Sequence, residues 1–224
     1  MSHRDRGSAW FPVLAALLAL TGCSRAAGQS QRCVFIDGGA HFGESYTAFQ
    51  KTELFKRYTW DIIAIEANPK LAEKLPKAPR ATVLAKAIWT NEGTLDFHME
   101  NDISGANSIY DRFKEGATTL TVPSIDFSQW VQKTVKPEDY VILSLDIEGA
   151  EYDVMDKMLK DGTFKYIDRL YVEFHPYLQQ DITRNQADKR GRVLLKDIEK
   201  QGVIVADDSA EGVMKRGDWI DFLL

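Results

Sequence analysis

The sequence predicts an α/β domain: a mostly parallel, doubly wound sheet with helices on both faces and an antiparallel C-terminal edge. Three observations predict it. Short apolar runs alternate along the chain with segments of helical period. The first run, Val34-Phe35-Ile36, ends on Asp37 and passes into a loop that carries Gly38, Gly39 and Gly43. The second, DIIAIEA at Asp61 to Ala67, brings Glu66 to its end. In sheets of this kind ligands lie beyond the carboxyl ends of the strands, where both acids fall.

Each element has its own local reason. Cys33 to Asp37 is a short buried strand, and Ser45 to Tyr58 spaces Tyr46, Phe49, Phe55 and Tyr58 as a helix does. Asn68-Pro69 closes the strand over Asp61 to Ala67, and a short helix over Lys70 to Lys77 stops before Pro79. Ala81 to Trp89 and Gly93 to Met99 read as strands joined by the turn Thr90-Asn91-Glu92-Gly93. YVILSL, Tyr140 to Leu145, is a strongly apolar strand, followed by a helix over Glu151 to Leu159 and a strand over Arg169 to Phe174. Ala187 to Gln201 is an amphipathic helix with Val193, Leu194 and Ile198 on one side. Val203 to Ala206 and Trp219 to Leu224 then read as a hairpin-like edge.

Composition bounds the function. A chain of 224 residues supports one substantial domain, burying about 70% of its unfolded surface. The formal net charge is −5 and no dense Lys/Arg run occurs, which argues against a nucleic-acid partner. Cys23 and Cys33 are too few for a disulfide framework or a zinc site, and no pairing is expected of them.

The N-terminus reads separately. Arg4 and Arg6 precede an apolar run from Ala9 to Cys23, a charged region and hydrophobic stretch of signal-peptide length. Leu20-Thr21-Gly22-Cys23 resembles a bacterial lipobox. A cleaved signal, a short anchor and a misassigned start codon remain alternatives. The expected division is a targeting segment at 1–23, a polar linker at 24–31 and the folded domain at 32–224. A membrane-tethered or exported location follows, with a cytoplasmic one as the alternative.

Glycine in the first loop serves where φ is positive or a ligand meets the backbone closely, although a tight turn without a ligand uses it equally well. Glu66 lies 23 residues after Gly43, where a carboxylate can accept ribose hydroxyls. The loop carries no Lys-Ser/Thr pair for a triphosphate, and its Asp-x-Gly-x-x-x-Gly spacing is not a pyrophosphate cradle. A nucleoside without phosphates fits better, and Asp37 and Asp146 would give its cleft a negative field.

VFIDGGAHFGES, AIEANP, LAKAIWTNEGTLDFHM, VPSIDF, ILSLDIEGAEYDVM and RLYVEFH occur in the order and spacing of the FkbM methyltransferases, and the chain resembles that family from Val34 to His175. The resemblance implies a Rossmann-like class I methyltransferase fold and S-adenosyl-L-methionine as cofactor. It also implies O-methylation of a hydroxyl on a sugar or small metabolite. Asp37, Gly39 and Gly43 would line the methionine end, with His41 standing where many members have Asn. Glu66 would bind the ribose, and Ala87 and Ile88 would flank the adenine or simply pack in the core. Asp146 would lie where methyl donor and acceptor meet.

A hydroxyl nucleophile needs its proton removed or a metal to acidify it. Asp146, Glu148 and His175 are the expected catalytic groups, with Glu173 a further candidate near the cleft. A set of Asp146, Glu173 and His175 suits Mg²⁺ or Mn²⁺ in ligand type, but no metal is expected. Glu151 is expected to serve the first turn of its helix. Tyr110 and Phe113 are expected to wall the acceptor pocket. Two other classes share these features: a nicotinamide-dependent oxidoreductase, and a non-catalytic exported protein on the same scaffold. The latter is motivated by the N-terminal segment, since S-adenosyl-L-methionine is made in the cytosol.

Overall fold

The computed structural model describes residues 31–101, 104–111 and 118–207. The expected targeting segment, most of the linker, Phe113 and the strand over Trp219 to Leu224 lie outside the described residues. Six parallel strands form the main sheet: β1 (Cys33–Gly38), β2 (Trp60–Glu66), β3 (Ala81–Ala85), β7 (Tyr140–Leu145), β8 (Arg169–Val172) and β9 (Ile204–Asp207). Their order is β3-β2-β1-β7-β8-β9. The chain winds outward from β1 in one direction and from β7 in the other, so the switch point lies between β1 and β7. This is a Rossmann-like arrangement. β9 pairs parallel with β8; the second strand of the expected antiparallel edge lies outside the described residues.

Strand alternation builds a core on each side. Val34 and Ile36 of β1, with Val141, Leu143 and Leu145 of β7, point to one face. There they meet α4 (Phe127–Thr134), α5 (Glu151–Lys160) and α6 (Arg184–Glu199) through Val131, Met155, Leu194 and Ile198. Phe35 and Ile142 point to the other face and pack with Tyr46 and Phe49 of α1 (Glu44–Phe49). Side chains two apart share a face of a strand, and both faces of this sheet are covered.

Several elements depart from the sequence reading. The helix over Ser45 to Tyr58 divides into α1 and α2 (Glu53–Arg57), because Thr52 accepts from Phe55 N–H and caps α2. The helix expected over Lys70 to Lys77 is the short α3 (Pro69–Ala72). The strand over Ala81 to Trp89 divides at Lys86, leaving β4 (Ala87–Trp89) to enter a second sheet. There β6 (Thr118–Asp126), unassigned from sequence, lies between β4 and β5 (Gly93–Met99), parallel to the former and antiparallel to the latter. Cys33 is disulfide-bonded, against expectation; a single bridge needs no framework, and the chain's other cysteine, Cys23, lies outside the described residues. Among the described residues no helix is long and apolar enough to cross a membrane.

Candidate active site

The site forms where β1 and β7 part company at the switch point. Gly39 follows β1 with φ +82°, and a Cβ there would lie 1.7 Å from the Asp146 carbonyl oxygen. Only glycine meets both demands. The turn is held from both sides: Gly39 and Ala40 N–H donate to the Ile65 carbonyl at 2.9 and 3.1 Å, and Asp146 N–H donates to the Gly38 carbonyl at 2.9 Å. Gly43, also at φ +82°, is the N-cap of α1.

Above this turn opens a cavity of about 490 Å³. Gly39, His41, Glu66, Ala87, Ile88, Asp146 and Glu148 line it, so most of the expected site residues meet there. Glu66 is buried and accepts His41 N–H on Oε2 and Asn68 N–H on Oε1, both at 2.8 Å. Burial pushes its pKa up against those two bonds, and each oxygen keeps a lone-pair direction for a ligand hydroxyl. His41 faces Glu44 Oε1 at 3.1 Å through Nδ1. Ile65, Leu71, Ile88 and Phe97 supply apolar wall.

Asp37 and Gly43 stand behind the cavity rather than on its wall. Asp37 is 1% exposed and accepts the Tyr46 N–H at 3.3 Å. Burial lifts it to about 7, the Tyr46 bond opposing and Glu44 and Glu66 adding to the rise. It therefore anchors the start of α1. Tyr110 also turns away from the cavity: its hydroxyl donates to Asp153 Oδ2 at 3.0 Å. Ser104, Gly105, Asn107 and Ile109 line that side instead.

At the other end, β7 and β8 are each followed by a pair of ionisable residues two apart: Asp146-Ile147-Glu148 and Glu173-Phe174-His175. Four carboxylates converge on the one imidazole. His175 Nδ1 is 3.0 Å from Glu151 Oε1, and Nε2 is 3.5 Å from Glu148, 3.8 Å from Asp146 and 3.8 Å from Glu173. Burial disfavours the imidazolium, but the hydrogen bond and charge of Glu151, with Glu148 and Asp146, lift His175 to about 9. Burial and then the charge of Glu173 raise Asp146 to about 8, His175 opposing.

Glu151 is the residue whose role the sequence reading missed. It does occupy the first turn of α5, yet it is fully buried. It accepts Ile147 N–H at 2.9 Å and Gly149 N–H at 3.0 Å, so it shapes the loop as well as holding His175. Ser108 ties the loop after β5 to the same turn by donating to the Glu148 carbonyl at 2.6 Å. The triad of ligand-type atoms closest together is Asp146, Glu148 and His175, all within 4.8 Å of one another. Glu148 thus stands where the sequence reading placed Glu173.

These residues fit the expected cofactor. The turn at Gly39 leaves no room for a side chain, Glu66 offers acceptors to a ribose, and the cavity size lies in the range of small-molecule sites. Fold and site together define a Rossmann-like domain with a small-molecule-sized cavity at its switch point. The methyltransferase FkbM domain matches residues 37–199, and the chain belongs to that methyltransferase family. No curated protein matches the sequence. Among solved structures, a dimerization-deficient mutant of Toc33 from Arabidopsis thaliana is 12% identical over 86% of this chain and 81% of its own. Its TM-score of 0.27 is too low to carry any argument.

Proposed function

We propose that the chain transfers a methyl group from S-adenosyl-L-methionine to a hydroxyl on a sugar or small metabolite. The observation that carries this reading is the charge of the cavity wall. Glu44, Glu66, Glu148 and Glu173 line it with a single lysine, Lys86, and Asp146, held at about 8, adds a further negative charge only above that pH. Such a wall attracts a cationic sulfonium and repels the diphosphate of a nicotinamide dinucleotide. The oxidoreductase alternative is therefore disfavoured.

In this reading Glu66 accepts the ribose hydroxyls, and Ala87 and Ile88 flank the adenine. Gly39 and His41 present backbone to the methionine end, over a turn that Asp37 and Gly43 hold in place. Bound there, the cofactor supplies an electrophilic methyl group on a sulfonium that leaves as a neutral thioether. Alignment of the acceptor oxygen supplies much of the rate enhancement. In the same reading Asp146, backed by Glu148 and His175, takes the hydroxyl proton. The loop of Ser104, Gly105, Asn107 and Ile109 offers polar groups to the acceptor, which small-molecule and glycan hydroxyl compounds satisfy alike.

Isothermal titration of S-adenosyl-L-methionine and of NADH into the full chain tests the reading. The expected result is micromolar binding of the first, lost in Glu66→Ala, and none of the second. NADH binding without S-adenosyl-L-methionine binding would overturn it.

A further inference from the structure

We propose that Asp146, Glu148 and His175 form a binding site for one divalent cation of the Mn²⁺ or Mg²⁺ type, with Glu151 as a positioning residue. The inference is independent of the methyl-donor reading, because it concerns the protein's own donor set.

Two observations carry it beyond a group of acids. The first is the orientation of His175. It is 4% exposed, and the fully buried Glu151 already occupies its Nδ1. That pairing alone satisfies a structural histidine. Its Nε2 faces three further carboxylate oxygens at 3.5, 3.8 and 3.8 Å, each longer than a good hydrogen bond. Those contacts favour a proton on Nε2, and a divalent cation bound among the same oxygens would take that proton's place. A carboxylate on the far nitrogen of a metal-binding histidine fixes its tautomer and raises its basicity, and Glu151 is in that position.

The second observation is topological. Adjacent parallel strands β7 and β8 are each followed at once by an i, i+2 pair of ligand-type residues, Asp146 with Glu148 and Glu173 with His175. Ligands therefore arrive from the first turns after two neighbouring strands rather than from a single loop. The atoms span at most 4.8 Å. Octahedral bonds of roughly 2.1 Å place cis ligands ~3 Å and trans ligands ~4.2 Å apart, so sub-ångström side-chain shifts suffice. Two carboxylates and one imidazole suit a hard, oxygen-preferring cation that tolerates nitrogen, and disfavour a thiolate-seeking one. Glu173 lies within reach as a further oxygen donor. A cation here would meet the acceptor at the mouth of β7 and acidify its hydroxyl.

Mn²⁺ is the probe, titrated into the full chain and followed by electron paramagnetic resonance. The expected result is one Mn²⁺ per chain, with a directly bound nitrogen in the spin-echo modulation. Glu148→Gln weakens binding at least tenfold, His175→Gln removes the nitrogen signal, and the surface variant Glu53→Gln matches the wild type. Absence of Mn²⁺ binding, binding without a nitrogen signal, or binding untouched by Glu148→Gln overturns the proposal. The wild-type nitrogen signal decides even if a variant misfolds.

Discussion

The two sides of the switch point build their share of the site by opposite means. On the β1–β2 side the design is subtraction: a turn without side chains, two backbone N–H groups on Ile65, and one carboxylate presented by Glu66. On the β7–β8 side it is crowding, with Asp146, Glu148, Glu151 and Glu173 gathered about His175. The first half is governed by shape and the second by charge. Substitutions should therefore fail for different reasons in the two halves.

The sharpest way to break this contrast is Gly39→Ala. The added methyl meets a backbone oxygen at 1.7 Å in a positive-φ conformation, and at least ~3 kcal/mol of stability should vanish with ligand binding. A melting curve near wild type would mean that shape does not govern the turn.

Asp37→Asn separates charge from shape within the first half. An unfolded aspartate titrates near ~3.9, whereas burial holds Asp37 at about 7 in the fold. The folded state thus binds the proton more tightly. This residue's stabilising contribution is full below about pH 4 and falls as pH rises to about 7, by up to ~4 kcal/mol. Asparagine removes that slope, so the variant should gain on the wild type in denaturant melts at pH 8 but not at pH 4. Parallel pH profiles for the two proteins would refute the assignment.

In the second half, Glu151→Gln leaves the shape nearly unchanged. A glutamine can offer its oxygen to only part of the set Ile147 N–H, Gly149 N–H and His175 Nδ1. Chemical denaturation should show a loss of about 2 kcal/mol. An unchanged midpoint would show that the buried charge is dispensable. The smallest effect belongs to Tyr110→Phe, which removes one hydrogen bond to Asp153 and should cost about 1 kcal/mol. The acceptor KM should stay constant, because the ring does not line the cavity. A tenfold rise in KM would return Tyr110 to the acceptor wall.

What could be read from sequence follows from the range of each interaction. β7 spans Tyr140 to Leu145 as expected, because a strand covered on both faces is apolar throughout. Glu66 and Asp146 stand out in the sequence because each lies at the end of a strand, and both reach the cavity wall; Asp37 has the same position but is buried behind it. β6 was not legible: Pro123 within it reads as a strand breaker, and its polar threonines weaken the apolar pattern. Its Asp126 then caps α4 through Gln129 N–H, a local signal that becomes readable only once the strand before it is recognised. Glu151 looked like a helix-start acid by position, which it is. Its partner His175 lies 24 residues later, beyond the end of another strand, and no periodicity reveals such a pair.

The break at Lys86 has a further consequence. Past it the chain leaves the main sheet, makes the β5–β6 hairpin whose loop bears Ser104, Gly105 and Asn107, and returns through α4 to β7. In the proposed reading the wall facing the acceptor is thus an excursion inserted between two strands of a parallel scaffold. Exchange of that excursion between relatives would retune what is modified while the donor side keeps its architecture, a division of labour that lets one scaffold diversify by splicing rather than by rebuilding.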